Sequence, residues 1–263
     1  MLNHTEIPRE LARELRFSHF WNSQLDLVFA DVAPYYDQAN QVASLGLWNW
    51  FLRQHLDLVE TQPGQRALDV CAGTNAVGIA LLKKEPSLKV HAMDRSTAMQ
   101  EVGRRRAKAL GFRISSTIGD VHKLPFPDNH FDIVTLQWAS RHLRIEEVLK
   151  EVRRVLKPGG HFHHCDMLRP NNPRVAKIYF GYLRFCLNLT AKVFRSKAPT
   201  LGCRDYFLDA LEMFYSAGEF SQLCERNHFI QVKHKSLLGG MVGVHCAAKP
   251  VECSEPLTVQ PNP

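Results

Sequence analysis

What this chain lacks narrows its class before any motif is read. No apolar run approaches the roughly 20 residues that cross a bilayer. The first residues carry Glu6, Glu10 and Glu14 without an apolar signal core, so no secretory leader is expected. The seven Cys, at 71, 165, 186, 203, 224, 246 and 253, contain no C-x-x-C pair and no metal-ligand spacing. They read as reduced thiols of a cytosolic protein, and no metal site is expected. Zinc-finger and RNA-binding signatures are missing too, so the formal charge of +7 implies no specific nucleic acid. An anionic cofactor or membrane surface remains compatible with that charge. The one glycine-containing turn after a strand, "LDVCAGTNAVGIALL", is too short for a phosphate loop and lacks the full G-x-G-x-x-G of NAD binders.

What is present, 263 residues with 45% hydrophobic content, suffices for one large core. Residues 1–60 read as an N-terminal helical cap, with Leu11, Leu15, Phe20, Leu25, Val28 and Phe29 at helical spacing and an interruption at Pro34. Strands are expected at "RALDV", "LKVHAMD", "RISSTIGD", "FDIVTLQW" and "HFHHCDML", separated by helical stretches. The clearest of those is "IEEVLKEVRRVLKPGG", with Ile145, Val148, Leu149, Val152 and Leu156 as its stripe and Pro158-Gly159-Gly160 as its stop. Two more strands flank Gly239-Gly240. The pattern predicts an α/β fold: a doubly wound, mostly parallel seven-stranded sheet with an antiparallel edge hairpin. The core spans 61–249 with a helical insertion at about 170–216, and 250–263 reads as a loose tail.

Open sheets of this kind bind ligands beyond the C-terminal ends of their strands. Asp69, Asp94 and Asp120 end the first three strands. The turn at Cys71, Ala72, Gly73 and Asn75 offers backbone N–H groups, with Gly73 and Asn75 able to turn left-handed. Asp94 suits a ribose diol, Asp120 an adenine amino group and the Val121 backbone its ring. Met93, Met99 and Leu124 supply apolar walls. His161, His163 and His164 look metal-like, but alternation along a strand leaves only two of them on one face and no third ligand follows.

The segments "VFADVAPYYDQAN", "LDVCAGTN", "AMDRSTAM", "GDVHKLPFPDNHFDIVTLQWASRHL", "EVRRVLKPGG" and "GGMVGVHCAAK" make the chain resemble the class I S-adenosylmethionine-dependent methyltransferases. More narrowly, it is similar to the ubiquinone/menaquinone biosynthesis C-methyltransferases over roughly residues 28–249. The resemblance implies S-adenosyl-L-methionine as cofactor. It assigns to that cofactor Asp69, Cys71, Ala72, Gly73, Asn75, Asp94, Arg95, Met99, Asp120, Val121 and Gln137. The loop departs from the usual Ala-Gly-Gly-Thr-Gly-Asp type: Cys71, Ala72, Asn75 and Ala76 stand in changed places.

The implied reaction is methylation of a ring carbon of a prenylated quinol, with Arg141 and Tyr36 orienting an acceptor hydroxyl or a water and stabilising an oxyanion. His142, where the family has Asn, is a candidate for proton transfer. The alternative for Arg141 is a surface pair with Glu147. Asn40, Trp48, Trp138, Tyr179, Tyr206 and His245 are the acceptor-side candidates, with a core role the first reading for His245. Trp48-Asn49 replaces a usual His-Arg, and Trp138 a usual Phe, which implies a reshaped acceptor pocket. The apolar, basic stretch 175–195 suits a hydrophobic acceptor, peripheral contact with the inner face of the membrane, or a homodimer. Two other functions stay open: a methyltransferase for a non-quinone small molecule, and a non-catalytic partner that kept the fold.

Overall fold

The computed structural model describes residues 7–193 and 203–251, without the side chains of 190 and 191. Seven strands make one sheet in the order β3-β2-β1-β4-β5-β7-β6. They are β1 (Arg66–Val70), β2 (Lys89–Asp94), β3 (Ser115–Ile118), β4 (Phe131–Gln137), β5 (Leu156–Met167), β6 (Ile230–Leu237) and β7 (Val242–Ala248). All are parallel except β7, which runs antiparallel between β5 and β6. The order reverses direction between β1 and β4, and such a switch leaves a crevice at the strand ends.

Ten α-helices surround the sheet among the described residues. In the N-terminal part are α1 (Arg9–His19), α2 (Leu25–Val32), α3 (Tyr36–Ala43) and α4 (Trp48–Leu56). The crossovers are α5 (Ala76–Lys84), α6 (Thr97–Ala109) and α7 (Ile145–Val155). After β5 come α8 (Pro173–Val193), α9 (Arg204–Glu212) and α10 (Ala217–Arg226). A π-helical turn at Phe20–Gln24 joins α1 to α2, and Pro34 sits in a 3₁₀ turn at Ala33–Tyr35. Ser96 caps α6 by accepting the Met99 N–H at 3.3 Å, as its hydroxyl predicts.

The main core lies between the sheet and α7 and α10, where Val148, Leu149, Val152, Phe220 and Leu223 are fully buried. A smaller cluster joins Phe17, Trp21, Leu25 and Val28 of the N-terminal helices to Tyr206 and Ala210 of α9.

Two expectations are corrected. Helix α7 ends at Val155, and Leu156 already belongs to β5, opposite Phe131. The backbone N–H groups of Asn129 and His130 take the Arg154 and Val155 carbonyls, and Lys249 takes that of Leu156 at 2.8 Å. Strand pairing therefore outcompetes the last helical turn before Pro158 is reached. In α1, Leu11 and Leu15 face solvent, whereas Arg13 and Phe17 are buried. The buried guanidinium donates to Glu10 and to the carbonyls of Arg141 at 2.9 Å and Leu143 at 3.3 Å, while its Nε has no partner among the described residues. Hydrogen bonding decides which face turns inward. Residues 252–263 of the expected tail, and Arg195 of the basic stretch, lie outside the described residues.

Candidate active site

The turn after β1 is the first structural element of the site. Cys71, Gly73 and Asn75 all adopt left-handed backbone, with φ of 53°, 52° and 58°, while Ala72 does not. That alternation bends the chain sharply into α5. Asn75 replaces a glycine at modest conformational cost and compensates with its side chain. Its Oδ1 accepts from Gln100 Nε2 at 2.9 Å, and the same amide donates to the Gly73 carbonyl at 3.0 Å. Gly103 of α6 leaves the room: a Cβ there would lie 2.7 Å from Asn75 Cγ. Asn75 is therefore buried beneath the turn and braces it, without lining the cleft.

The cleft has two lobes sharing Tyr36, Cys71, Gly73, Gln137 and Trp138. One, of about 350 Å³ out to its mouth, adds Asp69, Ala72, Thr74 and Trp48. The other, of about 580 Å³, adds Asp94, Arg95, Met99, His142 and Leu143, with Leu25 and Phe29 of α2 as its roof. Asp94 is held between two amides: Oδ2 accepts the Gly73 N–H and Oδ1 the Ser96 N–H, both at 2.8 Å. Burial raises its carboxyl, while those amides lower it. Asp69 accepts from Thr135 Oγ1 at 2.8 Å, and burial pushes its carboxyl up to about 7. Its Oδ2 faces the Gly78 amide without a well-aligned bond, and Gln137 Nε2 has no partner among the described residues. Buried polar atoms left in this condition are costly unless a ligand completes them.

Arg95 joins the end of β2 to the cap, through Asp26 at 2.7 Å and the Trp21 carbonyl at 2.7 Å. Thr74 does the same on the other side: its hydroxyl donates to Asp37 at 3.0 Å, and Asp37 pairs with Arg106 at 2.8 Å.

The acceptor-side candidates divide. Tyr36 and Trp138 line both lobes, and Trp48 stacks on Trp138 at 5.0 Å with an interplanar angle of 20°. Trp138 itself sits at φ 61°, a strained turn immediately beyond β4. Arg141 follows in a 3₁₀ turn. It pairs with buried Asp166 of β5 and donates to the Trp138 carbonyl at 3.0 Å, while Glu147 bonds Arg144 instead. The surface pair with Glu147 is thereby replaced by a buried one. Burial raises the Tyr36 phenol, and the nearby Arg141 charge opposes this.

His142 lines the larger lobe, but its Nδ1 meets Tyr206 Oη at 2.8 Å. Tyr206 Oη already accepts from Trp21 Nε1 at 3.0 Å, so its own proton goes to His142. Burial lowers this imidazole far below its ordinary value, with Arg141 and Arg13 adding to the effect. A neutral N–H donor at Nε2 fits these surroundings better than a base.

Other predicted residues are not brought into the cleft. Asn40 turns back to the Tyr36 carbonyl, Tyr179 donates to the Met241 carbonyl, and Tyr206 is packed under the cap. His245 is buried on β7. Asp120 accepts from His122, and neither it nor buried Val121 lines a lobe. Among the described residues, no group of three or more His, Cys, Asp or Glu converges as a metal site. Sequence reasoning missed Arg13, Asp37's bond to the turn, and Asp166. The first reads as a solvated helix charge, and the others depend on elements that meet from distant parts of the chain.

The profile described as the ubiE/COQ5 methyltransferase family matches residues 19–249. The chain is similar to a ubiquinone/menaquinone biosynthesis C-methyltransferase UbiE of Ectopseudomonas mendocina, 32% identical over 227 residues that cover 85% of this chain and 88% of that one. It is also 32% identical to a demethylmenaquinone methyltransferase of Symbiobacterium thermophilum, over 84% of this chain and 91% of the relative. Among solved structures, a SAM-dependent methyltransferase from Aquifex aeolicus shares the fold with a TM-score of 0.53 at 19% identity, covering 75% of this chain and 89% of that one.

Proposed function

The chain belongs to the ubiE/COQ5 methyltransferase family and is a methyltransferase that uses S-adenosylmethionine; from that premise we propose that it methylates a ring carbon of a prenylated quinol, of the demethylmenaquinol or benzoquinol type, or of a related aromatic. The observation that carries this reading is the Arg141 charge beside Tyr36, although Arg141 itself lines neither lobe. Its guanidinium is clamped by Asp166 and the Trp138 carbonyl, and its charge acts on Tyr36, which lines both lobes.

S-adenosylmethionine supplies a methyl group already activated by a sulfonium. The residues present fit it. Asp94, fixed by two amides, keeps lone pairs for the ribose diol. Asp69 and the unpartnered Gln137 amide suit the amino-acid end, and Met99, Leu143, Leu25 and Phe29 suit the adenosine. Asp120 holds His122 through Oδ1 alone, which leaves Oδ2 for an adenine amino group.

Arg141 stabilises the ring oxyanion that makes the adjacent carbon nucleophilic, and the Tyr36–Trp138 wall orients the ring. The His142 N–H donates to an acceptor atom of the bound ligand. The outward face of α8 supports work at the inner face of a membrane by a cytoplasmic enzyme. Ile178 and Phe185 are 70% and 62% exposed there, beside Lys177 and Arg184. Among the described residues no helix is long and apolar enough to cross a membrane, so this contact is peripheral.

A second reading, a smaller non-quinone ring, is favoured by one observation: Trp48 stacked on Trp138 narrows the aromatic end. Methyl-transfer assays on reduced prenylated naphthoquinols and benzoquinols separate the two. Turnover of either supports the first reading, and turnover of small phenols alone supports the second.

A further inference from the structure

Behind Arg141 a file of buried side chains crosses the sheet. Asp166 Oδ2 meets Ser140 Oγ at 2.5 Å, and Ser140 Oγ meets His164 Nε2 at 2.8 Å. His164 Nδ1 meets His245 Nδ1 at 3.2 Å, and His245 Nε2 meets the Ala217 carbonyl at 3.0 Å. Ser140, His164 and Asp166 are fully buried, and His245 nearly so.

The protons do not add up. Four contacts each need a hydrogen between two polar atoms. With an ionised carboxylate and neutral imidazoles, Ser140, His164 and His245 bring one hydrogen apiece. The Ala217 carbonyl can only accept, which fixes His245 Nε2 as a donor and its Nδ1 as an acceptor. His164 must then donate from Nδ1, leaving Nε2 bare. The single Ser140 hydrogen serves either Asp166 or His164, never both. One contact is left lone pair against lone pair, a costly state in a dry interior. The file has room for one more proton.

We propose that the Asp166–Ser140–His164–His245 file is the proton acceptor of this active site, taking up the proton lost by the acceptor's ring hydroxyl. This rests on the reading of the acceptor as a hydroxylated aromatic. The ring O–H bond breaks beside Tyr36, and its proton enters at Asp166, which with Arg141 lies near enough to Tyr36 to act on its phenol although neither lines a lobe. Asp166 passes a proton to Ser140 Oγ, and Ser140 passes its own to His164 Nε2, where one N–H bond forms. His164 then donates at both nitrogens and all four contacts are filled. After the methyl group has moved, the ring carbon releases its hydrogen to solvent and the stored proton returns to the ring oxygen. One proton leaves per turnover, as the stoichiometry of methylation requires.

The surroundings set when the proton is held. Burial drives His164 far down, with His245 and His55 of α4 acting in the same direction; burial also brings His245 to about 4, opposed by its bond to the Ala217 carbonyl and helped by His234 of β6. Phe220 stacks on the His164 ring at 4.0 Å and offers no charge. The Arg141 cation also disfavours a second positive charge, and Asp166 offsets it. Tyr36 and Tyr179, near enough to feel both charges, are kept protonated by burial. The file therefore rests empty and fills only when the ring oxyanion appears beside Arg141. Its residues are positioning residues, acting on the ring through Arg141 and Asp166.

The first test uses the full chain with ¹⁵N-labelled histidine, S-adenosylhomocysteine and reduced 1,4-naphthoquinol. The His164 ring nitrogens, assigned with His164→Gln, are expected to change from a neutral to an imidazolium pattern when the quinol binds. In parallel, Ser140→Ala is expected to lower kcat about 10²-fold and make it rise with pH in proportion to hydroxide, with cofactor affinity unchanged. A His164 that stays neutral in protein that methylates naphthoquinol overturns the proton file alone. So does a folded Ser140→Ala with the wild-type pH profile. Wild-type protein that binds S-adenosylhomocysteine but neither binds nor methylates the quinol overturns the acceptor reading, and the proton file with it.

Discussion

The two halves of the cleft are built by different means. The cofactor half rests on backbone: the φ values of residues 71–75, two amides on Asp94, and a switch in strand order. The acceptor half rests on side chains that meet from afar. Tyr36 comes from α3, Trp48 from α4 and Trp138 from beyond β4, while Arg141 is held by Asp166 of β5 and Arg13 of α1. A backbone-built site tolerates unusual side chains if they can reproduce the dihedrals, which is how Asn75 stands in for glycine. A side-chain-built site changes whenever one contributor changes, so its specificity can drift while cofactor binding persists.

Three experiments press on that division. The largest effect is expected from Arg141→Ala: kcat falls about 10²–10³-fold, with loss of oxyanion stabilisation. Cofactor affinity by calorimetry stays unchanged if the halves are independent, and a parallel loss of affinity breaks the comparison. Next is Asp94→Asn, which weakens charge-assisted bonds to the ribose and lowers cofactor affinity about 10²-fold. Undiminished binding in that variant means the ribose lies elsewhere.

The smallest effect concerns pH. Asp69 sits at about 7 in the folded chain, against an ordinary 3.8. Between those values the folded chain holds a proton that the unfolded chain has lost, so its contribution to stability declines as pH rises and levels off above about 7. A cationic ligand prefers the ionised form. Affinity for S-adenosylmethionine should therefore rise about tenfold from roughly pH 6 to 8 and flatten beyond. Asp69→Asn should remove the slope, and a slope that survives assigns it to another group.

Legibility followed the same line. The strands, the left-handed Asn75, the Ser96 cap and the acids at the ends of β1 and β2 were readable because each depends on neighbours within a few residues. Arg13 was not: periodicity assigns a charged residue to solvent, and inside it bonds not just its helix neighbour Glu10 but the carbonyls of Arg141 and Leu143, 128 and 130 positions away. Tyr206 and Asn40 were named for the acceptor, yet their polar atoms are taken by Trp21 and His142 in one case and by a helix carbonyl in the other. Asp120 shows the limit from the other direction, since a strand-end position sets its carboxylate against His122 and in the lining of neither lobe.

By itself the amino-acid order determined the parallel sheet and the turn that follows β1, because hydrophobic periodicity and dihedral preference act locally, while the class of cofactor came from the family resemblance of its motifs. Which polar groups meet was decided only by the packed structure. Arg141 on Asp166, Tyr206 on His142 and His164 on His245 are contacts between separate elements, and a buried polar atom takes whatever partner the finished fold brings within reach.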